Sequence, residues 1–135
     1  MTICRSRINL ENNLELTLEK IEVYRAAARR RLQARRQGLA HRHERAWLVA
    51  RQAAEILREE FGAHRVMMFG SLVRRRGFHM GSDIDLAVWG LEERRYYRAV
   101  SRLLDLDPAI QVDLILGEEA ALALLMVIME EGVSV

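Results

Sequence analysis

The sequence predicts an α/β fold, a small sheet packed by helices, on three observations. Two short apolar runs stop at glycines, Arg65–Phe69 before Gly70 and Ile84–Trp89 before Gly90. A third, residues 110–116, follows Pro108 and stops at Gly117. Before, between and after these runs lie longer segments without Gly or Pro, with apolar residues at helical spacing. Short apolar runs bounded by turn formers read as buried strands, and alternation with helical segments makes one layered sheet.

Taken in order, residues 11–36 read as helix, because Glu, Leu, Ala and Arg dominate. Leu14, Leu16, Leu18, Ile21 and Val23 supply apolar contacts, with Leu14, Leu18, Ile21 and Tyr24 near one face. That stripe fades where the arginines begin, so the segment holds too few apolar groups to fold alone. It is expected to pack on the core, on a second copy or on a partner. Gly38 is a natural break. A second helix is expected over 41–61, with Trp47, Ala50, Ala53, Ala54, Leu57 and Phe61 at three- and four-residue spacing and Gly62 as its C-cap. Strand 65–69 follows, its Met67 and Met68 read as core filler. Residues 70–82 form a loop punctuated by Gly70, Gly77 and Gly81. After strand 84–89 a helix is expected over 91–104, with Tyr97, Val100, Leu103 and Leu104 on one side. Strand 110–116 and a helix over 118–131 complete the chain. This divides into an arginine-rich helical extension, residues 1–40, and a domain, residues 41–135.

Composition narrows the class. Half of the 135 residues are hydrophobic and 30% are charged, an ordinary globular balance. No apolar run approaches the roughly 20 residues of a membrane span. Charges run through the first 13 residues, so no secretory signal is expected. The single cysteine, Cys4, has no partner for a disulfide and is given no catalytic role, which fits a reducing cytoplasm. The net charge of +2 is uneven: residues 24–43 carry seven arginines and no carboxylate. Such a stretch grips phosphates or an acidic partner, or is a solvated helix face, and the last is the favoured reading. Direct nucleic-acid binding is not expected, because no aromatic beyond Tyr24 interleaves the arginines.

Three carboxylates point to chemistry. Asp83 and Asp85 are two apart at the start of a strand, so their side chains share a face. Asp113 lies in the middle of the apolar third strand. A lone carboxylate there costs several kcal/mol unless it is paired or bound to a metal. No lysine lies near any of them. Three carboxylates on adjacent strands suit a hard divalent cation, with Mg²⁺ retaining waters and phosphate oxygens. Gly70-Ser71, directly after the first strand, lets backbone approach a ligand and offers N–H and hydroxyl donors to phosphate. Arg74, Arg75 and Arg76 follow, able to offset triphosphate charge. The histidines bring no metal signal: His79 reads as an exposed loop residue, and His41, His43 and His64 cluster with no cysteine, so zinc is not expected. Trp89 reads as core.

Phe69-Gly70-Ser71, then Ser82-Asp83-Ile84-Asp85-Leu86-Ala87-Val88, then Val112-Asp113-Leu114-Ile115 resemble the minimal nucleotidyltransferases of the DNA polymerase beta superfamily, over roughly residues 45–133. The resemblance implies a mixed sheet packed by helices, with the site along one sheet edge. It implies that Asp83 and Asp85 bind metal and triphosphate, and that Asp113 completes the metal site and helps to activate the attacking hydroxyl. Gly70, Ser71, Arg74 and Ser82 fall at nucleotide-binding positions. The loop 72–82 is about one residue longer than the usual spacing, which leaves open which of Arg74, Arg75 and Arg76 faces the phosphates.

The reaction so implied is in-line displacement at the α-phosphorus of ATP, supported by two Mg²⁺ ions, with catalytic Asp83, Asp85 and Asp113. With 22 residues after Asp113, no C-terminal helical domain for a small acceptor is expected. Stand-alone chains of this type resemble the antitoxin half of HEPN/MNT toxin–antitoxin pairs. The leading expectation is AMP transfer to a tyrosine of a HEPN RNase toxin within a hetero-oligomer. The alternatives are a small-molecule nucleotidyltransferase completed by a partner subunit, and a non-catalytic module that neutralises its partner by occlusion.

Overall fold

The computed structural model describes the backbone from Thr2 to Val135 and side chains from Thr17 onward. The readings of Cys4, Leu14 and Leu16 lie outside the described side chains. Residues group into two compact units, Met1–Gly38 and Leu39–Val135. In chain order the elements are α1 (Thr2–Glu59), β1 (Arg65–Phe69), α2 (Ser71–Arg74), β2 (Ile84–Trp89), α3 (Tyr96–Leu104), β3 (Val112–Leu116), α4 (Leu122–Glu131) and β4 (Val133–Ser134). Short 3₁₀ turns at Glu93–Arg95 and Gly117–Glu119 precede α3 and α4.

The expected break at Gly38 does not occur, since α1 is helical through it. One glycine costs a helix interior about 1 kcal/mol relative to alanine, and Ala34, Arg35, Arg36, Leu39 and Ala40 around it are strong helix formers. The helix ends at Glu59, two residues before the expected end, and Gly62 closes it as expected. Gly62 takes a left-handed φ of 72° and the Ala63 N–H donates to the Leu57 carbonyl at 3.0 Å.

The sheet is mixed, in the order β3-β2-β1-β4. β1 runs antiparallel to β2 and to β4, while β3 runs parallel to β2. Alternation along the strands makes two faces. Val66, Met68, Ile84, Leu86, Val88, Val112, Leu114 and Leu116 form a closed core with Ala46, Val49, Ala50, Ala53, Ala54 and Leu57 of α1. The run of alanines lets the helix lie close on the sheet, so this face is sealed. The opposite face is thinner: Met67, Phe69 and Ala87 pack with Ile128 of α4, flanked by Trp89, Ile115 and Leu124. Asp85 and Asp113 alternate onto this second face. Met67 and Met68 are buried core residues, as expected.

Several boundaries shift for local reasons. Ile110 is held in a turn by its N–H to the Asp107 carbonyl, so β3 starts at Val112. Buried Asp107 makes that turn rigid: Oδ1 accepts from the Ala109 N–H at 2.9 Å, and Arg45 Nε reaches Oδ2 at 2.6 Å. α3 presents Ala99 and Leu103 to the core, while Tyr97 is 82% exposed and Leu104 also faces solvent. Tyr96 takes the inward place, its hydroxyl donating to the Leu114 carbonyl at 2.6 Å. Among the described residues, no helix is long and apolar enough to cross a membrane.

Candidate active site

The end of β1 sets the site. Phe69 is the register partner of Asp85 across β1 and β2, and Asp85 is the register partner of Asp113 across β2 and β3. The two aspartates therefore project side by side from neighbouring strands. Asp83, two residues before Asp85, alternates to the same face at the mouth of β2. Asp83 and Asp85 are half-buried, and Asp113 is exposed at the sheet margin. Gln111, two before Asp113, lies beside it with Nε2 3.3 Å from Oδ1.

Gly70 follows directly, and this position requires glycine. Its φ of 83° and ψ of −158° belong to a region that side chains other than glycine's hardly visit. A Cβ there would also collide with the Asp85 carboxylate. The bare backbone thus lies against the carboxylate and turns the chain into α2. The Gly70 carbonyl accepts from the N–H groups of Val73 and Arg74 at 3.2 and 3.1 Å. Half-buried Ser71 opens this turn, and buried Leu72 anchors it in the core. The first N–H groups of a helix have no acceptor inside it, and in α2 these include those of Ser71 and Leu72.

The electrostatics are unbalanced. The Asp85 carboxyl is held above its ordinary range, first by burial, then by the charges of Asp113 and Asp83, against a partial opposing pull from Arg74. Of the three loop arginines, Arg74 is the one whose charge acts on Asp85. Arg75 instead takes the left-handed conformation that ends α2, and Arg76 is exposed. Arg74 also lies 3.7 Å from Glu131 at the end of α4. Among the described residues, no trio of His, Cys, Asp or Glu side chains forms a ready-made metal cage. The three aspartates make an open acidic edge instead, a donor set suited to a cation that takes its other ligands from phosphate and water.

Ser82 is buried and braces the loop: its Oγ accepts from the His79 N–H at 2.8 Å. His79 itself is exposed, its Nδ1 accepting from the Gly81 N–H. Two supporting residues escape sequence reasoning. Arg42 on α1 donates from Nη1 to the Ala109 carbonyl at 3.0 Å and from Nη2 to the Ser82 carbonyl at 3.1 Å. It thereby ties the approaches to β2 and β3, the strands that carry the aspartates. His43, one residue on, has Nε2 2.9 Å from the Leu72 carbonyl and packs edge-on against Phe78. Neither carries a sequence signal, because each acts across 29 or more residues of chain. Trp89 is half-buried, with the Arg65 guanidinium over its ring and Gly117 directly beneath.

Comparison with solved structures gives the same architecture. A chain of a toxin–antitoxin crystal structure with AMP-PNP superposes with a TM-score of 0.54 at 22% identity, covering 63% of this chain and 70% of that one. A chain from a tri-AMPylated Shewanella oneidensis HEPN toxin in complex with its MNT antitoxin gives 0.51 at 20% identity, covering 66% and 70%. One from a MntA-HepT toxin–antitoxin structure gives 0.50 at 21%, covering 65% and 69%. These likenesses are of fold. No protein of curated function matches. The family model described as polymerase beta, nucleotidyltransferase matches residues 51–135, which include every strand and all three aspartates. The chain belongs to the polymerase beta nucleotidyltransferase family.

Proposed function

We propose that the protein is a magnesium-dependent antitoxin that transfers AMP from ATP to a tyrosine of a HEPN-type RNase toxin. The observation that carries the reading is the register pairing of Asp85 with Asp113 beside Gly70, where backbone and carboxylates converge. The structural neighbours support the acceptor: one holds AMP-PNP, and another contains a tri-AMPylated HEPN toxin with its antitoxin.

Each residue has a role in this reading. Gly70 and Ser71 receive the triphosphate through backbone N–H groups and the Ser71 hydroxyl, and Arg74 offsets its charge. Ser82 holds the loop from which Asp83 projects, on the nucleotide side of the site. Asp83 and Asp85 would hold one Mg²⁺, and all three aspartates a second. The Asp85 carboxyl, raised first by burial and then by the charges of Asp113 and Asp83, fits an edge where added positive charge would be favourable. When bound, Mg²⁺ neutralises phosphate charge and acidifies the acceptor hydroxyl. Asp113, exposed at the margin, takes the proton as the tyrosine oxygen bonds to the α-phosphorus. The bond from that phosphorus to the bridging oxygen breaks in line, and pyrophosphate leaves. Positioning supplies most of the rate, so the rigid sheet edge matters more than any covalent step. The catalytic domain in this reading is residues 41–135, working in the cytoplasm as part of a hetero-oligomer with the toxin.

Incubation with a HEPN partner, Mg²⁺ and ATP labelled at the α-phosphate tests the reading. Label on a partner tyrosine, abolished by EDTA, supports it; label on a small molecule alone refutes the acceptor.

A further inference from the structure

The nucleotide site leaves unexplained the arginine-rich part of α1. Leu18, Ile21, Arg25, Ala28, Leu32 and Arg35 recur at alternating spacings of three and four. In a helix that spacing makes one stripe, the seam of a coiled coil. Its large apolar members are uncovered: Leu18 is 59%, Ile21 38% and Leu32 48% exposed. Arg29 and Arg36 flank the stripe on one side and Arg31 on the other. Five of the six arginines between residues 25 and 36 thus lie on or beside it, with only Arg30 opposite. Among the described residues none of the six is in an ion pair. Arg30 and Arg31 reach only carbonyls of their own helix.

This pattern differs from a solvated face, where charge lies opposite the apolar stripe. It also selects among occupants. A second copy brings arginine against arginine, since Glu19 and Glu22 are the only carboxylates from Thr17 to Arg36. RNA gains nothing from covering Leu18, Ile21 and Leu32, and Tyr24 is the lone aromatic for stacking. An acidic amphipathic helix satisfies both features: leucine-type side chains fill the seam, and carboxylates meet the arginines at the flanking positions that set partner choice in coiled coils.

We propose that the stripe from Leu18 to Arg36 docks an acidic amphipathic helix of a partner protein, with carboxylates facing Arg25 and Arg35 and bordering Arg29, Arg31 and Arg36. This surface does not depend on the nucleotidyl-transfer reading.

The test uses the full-length chain and a synthetic heptad peptide with leucines at its seam and glutamates beside it, followed by fluorescence anisotropy. Saturable binding is expected. Affinity should fall about tenfold or more in Arg29→Glu/Arg31→Glu/Arg36→Glu, since three exposed pairs are lost and reversed. Leu18→Ala/Leu32→Ala, which keeps charge and helix propensity, should weaken binding comparably. A lysine version of the peptide should recover binding to the charge-reversed variant. Equal binding of glutamate and lysine peptides to the wild type would overturn the proposal. So would leucine variants that bind as tightly as wild type. Displacement of the peptide by single-stranded RNA whose own binding ignores Leu18 and Leu32 would make this an RNA surface. Self-association of the chain lost in the leucine variant would assign the stripe to a second copy.

Discussion

Asp85 and Asp113 are register partners on the parallel strands β2 and β3, side by side on the thinly covered face of the sheet. Two carboxylates so placed repel, and the Asp85 carboxylate lies against the bare backbone of Gly70, where a Cβ would collide with it. The fold thus gathers negative charge at one edge, and in the proposed reading a bound cation would relieve it.

That charge has a pH signature. In the folded, cation-free chain the Asp85 carboxyl is raised by burial and by Asp113 and Asp83. The folded state then binds its proton more tightly than the unfolded chain does. The associated stability is present below the unfolded carboxylate range and is lost as pH rises through the folded value. Asp85→Asn should raise the melting temperature of the cation-free protein at neutral pH, with the gain shrinking as pH falls toward the carboxylate range. Mg²⁺ should stabilise wild type more than this variant. Thermal denaturation across pH, with and without Mg²⁺, measures both; a neutral-pH melting temperature lowered by the substitution would refute the repulsion.

Gly70→Ala should damage fold and site together. The backbone conformation alone costs of order 1–3 kcal/mol for a residue with a Cβ, and displacement of the Asp85 carboxylate comes in addition. Urea unfolding should show a loss of that order, and calorimetry a weakened affinity for ATP–Mg²⁺. Wild-type stability in this variant would contradict the assigned geometry.

Arg42→Met should loosen the aspartate strands from a distance. Two charge-assisted hydrogen bonds to the Ser82 and Ala109 carbonyls are lost, at a cost of about 1–3 kcal/mol. Arg42→Lys should rescue poorly, because one ammonium cannot reproduce a planar fork on two carbonyls. Hydrogen exchange should report the change as faster exchange of the Ile84 amide, which donates to the Gln111 carbonyl, in both variants.

In the proposed mechanism, Asp113→Asn should separate binding from chemistry. The variant should fold and bind ATP, while kcat drops by about 10²–10⁴, the usual contribution of a positioned base. Equal turnover by variant and wild type would remove Asp113 from the role of proton acceptor.

Strands β1 and β2 are legible to the residue because each apolar run ends at a glycine, and Gly70 and Gly90 both take positive φ. The three aspartates are legible because carboxylates interrupt runs that are otherwise apolar. What escapes the sequence is short or distant. α2 has four residues and β4 two, too few for any periodicity to show. Gly38 misleads because helix propensity around it outweighs a single glycine. Glu131 meets Arg74 and Arg42 meets Ser82 only through the tertiary fold, over separations that no local pattern encodes.

The intact mass of a HEPN partner co-expressed with this chain tests the central claim most directly. With wild type, the account predicts a mass increase of one or more AMP groups on the partner, absent when the chain carries Asp83→Asn/Asp85→Asn. An unmodified partner in a stable complex with the wild-type chain would contradict it, and would make the acidic edge at Asp85 and Asp113 something other than a centre of protein nucleotidylation.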